Sequence, residues 1–175
     1  MTVREPSRLE EVRRYEVLDT PPDPALDRIT ALTAALFDVP VALITIVDER
    51  RIWFKSVFGL DGVTEIGLDP GFCTTAIEQS EPYIIESARN DPRTAANPLV
   101  TGNFGLQFYA AAPLETASGV RLGTLCSIDR EPRVFSPRQA AILQRLSRIV
   151  MDELDLRLMA TRSTSDVNGD RRLLT

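Results

Sequence analysis

The chain has 175 residues, enough to bury a hydrophobic core without staples, and its 43% apolar and 26% charged content is that of a globular protein. A net charge of −5, from 20 basic and 25 acidic side chains, argues against a nucleic-acid binder, and the longest apolar run, 41–47 interrupted by Thr45, is too short to span a membrane. There is no histidine and there are only two cysteines, Cys73 and Cys126, which excludes a His-ligated haem, a His-containing zinc site, a Ser/His/Asp triad, a Cys/His dyad and a four-cysteine metal centre.

The opening stretch MTVREPSRLEEVRRYE lacks the apolar centre of a secretory signal, so a cytoplasmic location is expected. Ser7 and Glu10 read as a capping box opening a first helix with Leu9, Val12 and Tyr15 on one face. Pairs such as Arg13–Arg14 and Arg50–Arg51 read as solvated surface. The prolines at 21, 22 and 24 end that segment; Asp23 caps the next helix with Pro24 at its first position, and Leu26, Ile29, Leu32, Thr33, Leu36 and Phe37 keep helical spacing. Val41–Val47 reads as a central strand and Ile52–Phe58 as its hairpin partner across the Asp48–Arg50 turn.

Residues 60–71 read as a loop, 73–79 as a short helix and 82–85 as a short strand. The stretch 88–103 lacks periodicity, which marks a lid or binding loop. A second hairpin follows, Leu106–Leu114 with Arg121–Asp129, and Ala110, Ala111 and Ala112 in its first arm either admit a close helix or leave space for a ligand. Ser136, Pro137 and Gln139 form another capping box, opening a helix whose apolar stripe from Ile142 runs to about Leu158; 161–175 reads as a disordered tail. One domain over 1–160 is expected, α+β, with an antiparallel sheet and separate helical layers.

The segment from Tyr15 to Thr30, the hairpin residues Arg51-Ile52-Trp53-Phe54-Lys55-Ser56, and Phe72-Cys73-Thr74-Thr75-Ala76-Ile77 together resemble bacterial GAF domains. So do Asp91-Pro92-Arg93, Asn97-Pro98-Leu99-Val100, Phe108 to Leu114, and Leu122 to Asp129 followed by Phe135-Ser136. The resemblance covers about 8–158 and implies a GAF/PAS-like (profilin-like) central antiparallel sheet of five to six strands. The terminal helices would cover one face; the segment after Gly59, to about Asn103, would cover the other and enclose a pocket. It also implies a signalling role through ligand or partner binding, with a histidine kinase or cyclic-dinucleotide enzyme as output and dimerisation through the terminal helices. The cyclic-nucleotide signature of the family is broken at Asp129-Arg130 and Phe135, and neither cysteine has the neighbouring histidine of bilin-binding members.

The candidate ligand-binding residues are Phe72, Cys73, Asn97, Phe108, Tyr109, Thr124 and Cys126, with Trp53, Phe54 and Phe104 as further aromatics for an apolar wall. No cofactor, metal, nucleic acid or membrane partner is expected, and no catalytic residue is assigned. Each cysteine is also explained as a small buried hydrophobe, Cys126 in mid-strand beside Thr124 and Ile128. Two alternatives to a small-molecule sensor remain. One is a thiol-dependent reductase similar to the free methionine-(R)-sulfoxide reductases, with Cys73 or Cys126 as nucleophile, although the sequence around these cysteines departs from that branch. The other is a ligand-free dimerisation module with a filled pocket.

Overall fold

The computed structural model describes residues 5–69 and 71–172, with side chains through Ser165. In chain order the elements are α1 (Glu5–Tyr15), α2 (Pro24–Phe37), β1 (Val41–Val47), β2 (Arg51–Phe58), β3 (Glu65–Gly67), α3 (Phe72–Ala76), β4 (Tyr83–Ile85), α4 (Pro98–Thr101), β5 (Phe108–Glu115), β6 (Arg121–Asp129) and α5 (Pro137–Arg172). The strands form one six-stranded sheet in the order β3-β2-β1-β6-β5-β4, every pair antiparallel. The two expected hairpins are β1–β2 and β5–β6, and β1–β6 pairing joins them at the centre.

Strand alternation divides the core in two. Ala42, Ile44, Ile46, Phe108, Ala110, Ala112 and Leu125 face the layer of α1, α2 and α5. Leu43, Val47, Ile52, Phe54, Tyr109, Ala111, Cys126 and Ile128 face the segment between β2 and β5. The three alanines therefore divide their duties: Ala110 and Ala112 let α5 close on the sheet, while Ala111 belongs to the other face. Gly123 has a separate reason, since a Cβ there would stand 1.8 Å from the Thr45 carbonyl oxygen, so only glycine lets β6 lie this close to β1.

The caps of α2 and α5 follow the sequence. Asp23 accepts from the backbone of Ala25 at 3.0 Å and Leu26 at 3.3 Å. Ser136 and Gln139 bond reciprocally, Gln139 N–H to Ser136 Oγ at 3.1 Å and Ser136 N–H to Gln139 Oε1 at 2.8 Å. Four details depart from the sequence reading. The first helix begins at Glu5, so Ser7 lies inside it and its capping box does not form; Arg8, 5% exposed, instead anchors the turn by donating to Glu5 and to the Val47 carbonyl at 2.7 Å. A short edge strand, β3, forms within the expected loop 60–71.

Arg51 is no idle surface charge: it donates to Asp19 at 2.6 Å and to Glu65 at 2.5 Å, tying the α1–α2 connection and β3 to β2. Finally, α5 continues to Arg172 through the stretch expected to be a disordered tail. There the hydroxyls of Thr161, Ser163, Thr164 and Ser165 return to carbonyls one turn back, which satisfies them within the helix. Residues 173–175 of that expected tail lie outside the described residues.

Candidate functional site

The segment between β2 and β5 does not collapse onto the strands. It roofs a cavity of about 250 Å³, just below the roughly 300 Å³ at which small-molecule pockets commonly begin. The floor is the sheet face carrying Leu43, Ile52, Phe54, Tyr109 and Ile128, and the roof includes Ile66, Phe72, Leu99 and Phe104. Alternation on four strands thus supplies the floor, while glycines and short helices shape the roof. Gly71, with φ +80°, turns the chain into α3 and sets Phe72 and Cys73 into the wall.

The expected binding residues separate into three groups. Phe72, Cys73 and Tyr109 line the cavity, with Phe72 and Tyr109 ring centroids 5.0 Å apart. Thr124 and Cys126 share the same sheet face, fully buried behind Cys73. Phe108 and Asn97 do not belong to the wall. Phe108 is one residue out of phase with Tyr109 and packs in the helix-side core, its ring 5.4 Å from that of Phe135. Asn97 caps α4, accepting from Leu99 N–H at 2.9 Å. Trp53 likewise faces the helical layer, whereas Phe54 and Phe104 face the cavity as expected.

Sequence reasoning missed Leu43, Ile52, Ile66, Leu99 and Arg130. The alternating phase of β1 and β2 marks Leu43 and Ile52 once the helix face is known. Nothing local signals Arg130, which follows β6 and stands at the mouth.

The cavity's polar corner is a chain of hydrogen bonds. Tyr109 donates its hydroxyl to Cys73 Sγ at 3.2 Å, the Thr124 hydroxyl reaches the same sulfur at 3.8 Å, and Thr45 and Thr124 hydroxyls lie 2.9 Å apart. Donation from the Cys126 thiol and from Tyr109 outweighs burial and brings the Cys73 thiol down to about 6. Cys126, which shares its proton with that sulfur and is itself buried, is held well above the ordinary thiol range. Burial beside the two sulfurs raises Tyr109 too, so its hydroxyl remains a donor. Both cysteines are free thiols. Among the described residues no cluster of three or more His, Cys, Asp or Glu is arranged to hold a metal, and no helix is long and apolar enough to cross a membrane.

This architecture has close parallels. Residues 21–154 match the family model described as GAF domain. A cyclic di-GMP phosphodiesterase of Pseudomonas aeruginosa is 38% identical over 165 residues, covering 94% of this chain but only 27% of that protein. Among solved structures, the GAF domain of an Acinetobacter phosphoenolpyruvate-protein phosphotransferase superposes with a TM-score of 0.62 at 18% identity, over 93% of this chain and 97% of that one. The free methionine-R-sulfoxide reductase of Neisseria meningitidis, solved in complex with its substrate, gives 0.61 at 17% identity, over 94% and 96%. At such identities these two structures speak for the fold alone. With the family model spanning most of the chain, and with the sheet order and roofed face described above, the chain belongs to the GAF domain family.

Proposed function

We propose that this chain is a small-molecule-sensing regulatory module whose cavity is read out by the helical layer on the opposite side of the sheet. The observation that carries the reading is the roofed apolar cavity of about 250 Å³, lined by side chains from five of the six strands. Tyr109 faces the cavity while its neighbours Phe108 and Ala110 face the helices, so one strand touches both. Phe108 meets Phe135, which precedes the cap of α5 and also packs on Phe37 of α2 with centroids 5.1 Å apart. A ligand that orders the roof and shifts β5 therefore biases α5 through rigid contacts.

The output fits an enzyme such as a cyclic-dinucleotide phosphodiesterase or a kinase, because the chain resembles about a quarter of a cyclic di-GMP phosphodiesterase. A cytoplasmic site of action suits that role. Dimerisation through the terminal helices is supported by exposed Leu32 and Leu36 on α2 and Ile149 and Leu156 on α5, large apolar groups on two helices that pack together. Native mass spectrometry of the purified protein tests the sensing reading: a co-purifying small molecule, or a saturable adduct with added metabolites, is expected. A protein that stays empty across such a screen refutes it.

The thiol pair favours a second reading, a reductase acting on a small oxidised substrate. The Cys73 sulfur would attack a sulfoxide, taking its oxygen as a sulfenic acid and releasing the thioether. Cys126 would then form a disulfide with loss of water, and an added dithiol would restore both thiols. Cys73 lines the cavity and Cys126 lies buried behind it, one thiol lowered and the other raised. Turnover of free methionine-(R)-sulfoxide with dithiothreitol as reductant tests it; no turnover excludes that substrate, and two inert thiols exclude the reading.

A further inference from the structure

The chemistry of the cavity narrows what it holds, an inference that rests on the sensing reading. Its inner corner offers an incoming group no vacant donor. The Tyr109 hydroxyl proton is already given to Cys73 Sγ at 3.2 Å, so an anion or other acceptor pushed to this depth either breaks that bond or loses its own hydration uncompensated. The rest of the wall is aliphatic and aromatic. The buried end of a ligand is therefore apolar.

The mouth is different. Arg130 is the one basic side chain on the wall among the described residues, at the opposite end from the Cys73 sulfur. Its Nε donates to the Phe104 carbonyl at 3.0 Å, and the guanidinium lies 5.0 Å from the centroid of the Phe104 ring. These contacts fix the planar group at the rim. Its two Nη nitrogens have no hydrogen-bond or ion-pair partner among the described residues. Of the two carboxylates flanking it in sequence, Asp129 is engaged elsewhere, by Arg133 Nε at 2.5 Å and by Glu131 N–H at 3.1 Å, and the Glu131 side chain forms no ion pair with Arg130. A cation held in place, with two free edges and an apolar hole beside it, is built for an anion carried on a hydrophobic body.

Size sets the rest. An apolar cavity of roughly 150 Å³ accepts benzene, so one of about 250 Å³ accepts a ring with a short chain, on the order of ten non-hydrogen atoms. We propose that the cavity binds a small amphipathic monoanion, an aromatic or short alkyl body seated against Leu43, Phe54 and Tyr109 with a terminal carboxylate-like head paired with the Nη groups of Arg130.

Phenylbutyrate, phenylbutanol and phenylbutylamine share one body and differ in the head, and so separate the charge from the cavity. Affinities are measured by calorimetry, and the location by methyl chemical shifts of Leu43, Ile66 and Leu106. The acid is expected to bind about tenfold tighter than the alcohol, and the amine more weakly than either. Arg130→Gln, at an exposed rim position, is expected to lose about tenfold for the acid and to leave the alcohol unchanged. Alcohol and acid binding equally, or the amine binding best, while the cavity methyls shift, overturns the monoanion assignment and leaves the sensing reading standing. If none of the three moves those methyls, the monoanion assignment and the sensing reading both fall.

Discussion

Replacing Tyr109 with phenylalanine removes one oxygen from the cavity and leaves its shape nearly unchanged, so it isolates the hydrogen bond to Cys73. That hydroxyl stands 3.2 Å from Sγ and is one of the donors that lower the thiol to about 6. A hydrogen bond to a charged acceptor contributes about 1.5–3 kcal/mol, and about 1.4 kcal/mol corresponds to one pKa unit. Loss of this donor should therefore raise the Cys73 titration by about one to two units, with the more distant Thr124 contact and the Cys126 thiol still in place. Thiolate absorbance followed against pH reads this directly and needs no reagent to enter the cavity.

The chain has no histidine, so little else titrates between pH 6 and the ordinary thiol range. A depressed thiol adds stability that is fully present above its unfolded pKa and lost as pH falls through about 6. Cys126 behaves oppositely: its raised pKa adds stability below the ordinary thiol value, lost as pH climbs above it. The melting temperature of the wild type should accordingly rise from pH 6 towards the ordinary thiol range and level off or fall beyond it. A wild-type first midpoint at the ordinary thiol value, or an unmoved midpoint in Tyr109→Phe, refutes the hydrogen-bonded account of Cys73 and removes the main support for thiol chemistry.

Three further outcomes follow from the packing. Gly123→Ala forces β1 and β6 apart, because the new methyl would stand 1.8 Å from the Thr45 oxygen. It should destabilise by about 3 kcal/mol or more, a fall of at least about 6 °C in Tm by calorimetry, and a fall under about 2 °C refutes the close approach. Leu99→Trp places a larger ring in the cavity from the partly exposed α4; Tm should rise by about 2–4 °C while binding of small apolar ligands is lost, and undiminished binding would locate the ligand elsewhere. Ile149→Glu with Leu156→Glu puts charge on the exposed apolar stripe of α5 and should convert a dimer to a monomer in sedimentation velocity, whereas a wild type already monomeric at micromolar concentration removes the dimer.

The long elements were legible because their signals are local. Asp23-Pro24 and Ser136-Pro137 state where α2 and α5 begin, and the β-branched run from Val41 has no helical reading of its length. What escaped was set by contacts distant in sequence. Ser7 offered a cap that the chain does not use, because Arg8 reaches 39 positions ahead to Val47 and fixes α1 one turn earlier. Strand phase decided the site in the same way. Phe108 and Tyr109 are adjacent aromatics, and only the partner across the sheet tells which one meets the cavity. Arg130 looks like any solvent-exposed arginine until the Phe104 carbonyl and ring are found beside it.

The cavity is hard to explain as an accident of folding. An unfilled apolar volume forfeits roughly 24 cal/mol per Å³, so about 250 Å³ corresponds to as much as 6 kcal/mol, less whatever solvent recovers at the mouth. That rivals the 5–15 kcal/mol by which whole domains are stable. Small adjustments lie close at hand: Leu99 and Val63, both partly exposed at the roof, could be larger side chains, whereas Ala110 and Ala112 on the other face of the same sheet are fully buried in the helix-side core. A module whose only task was to dimerise through its helices would gain stability by filling the cavity. A roofed apolar cavity floored by a strand whose alternate residues pack the helical layer suits a sensor, because the free energy a ligand gains by filling it is then available to bias α5.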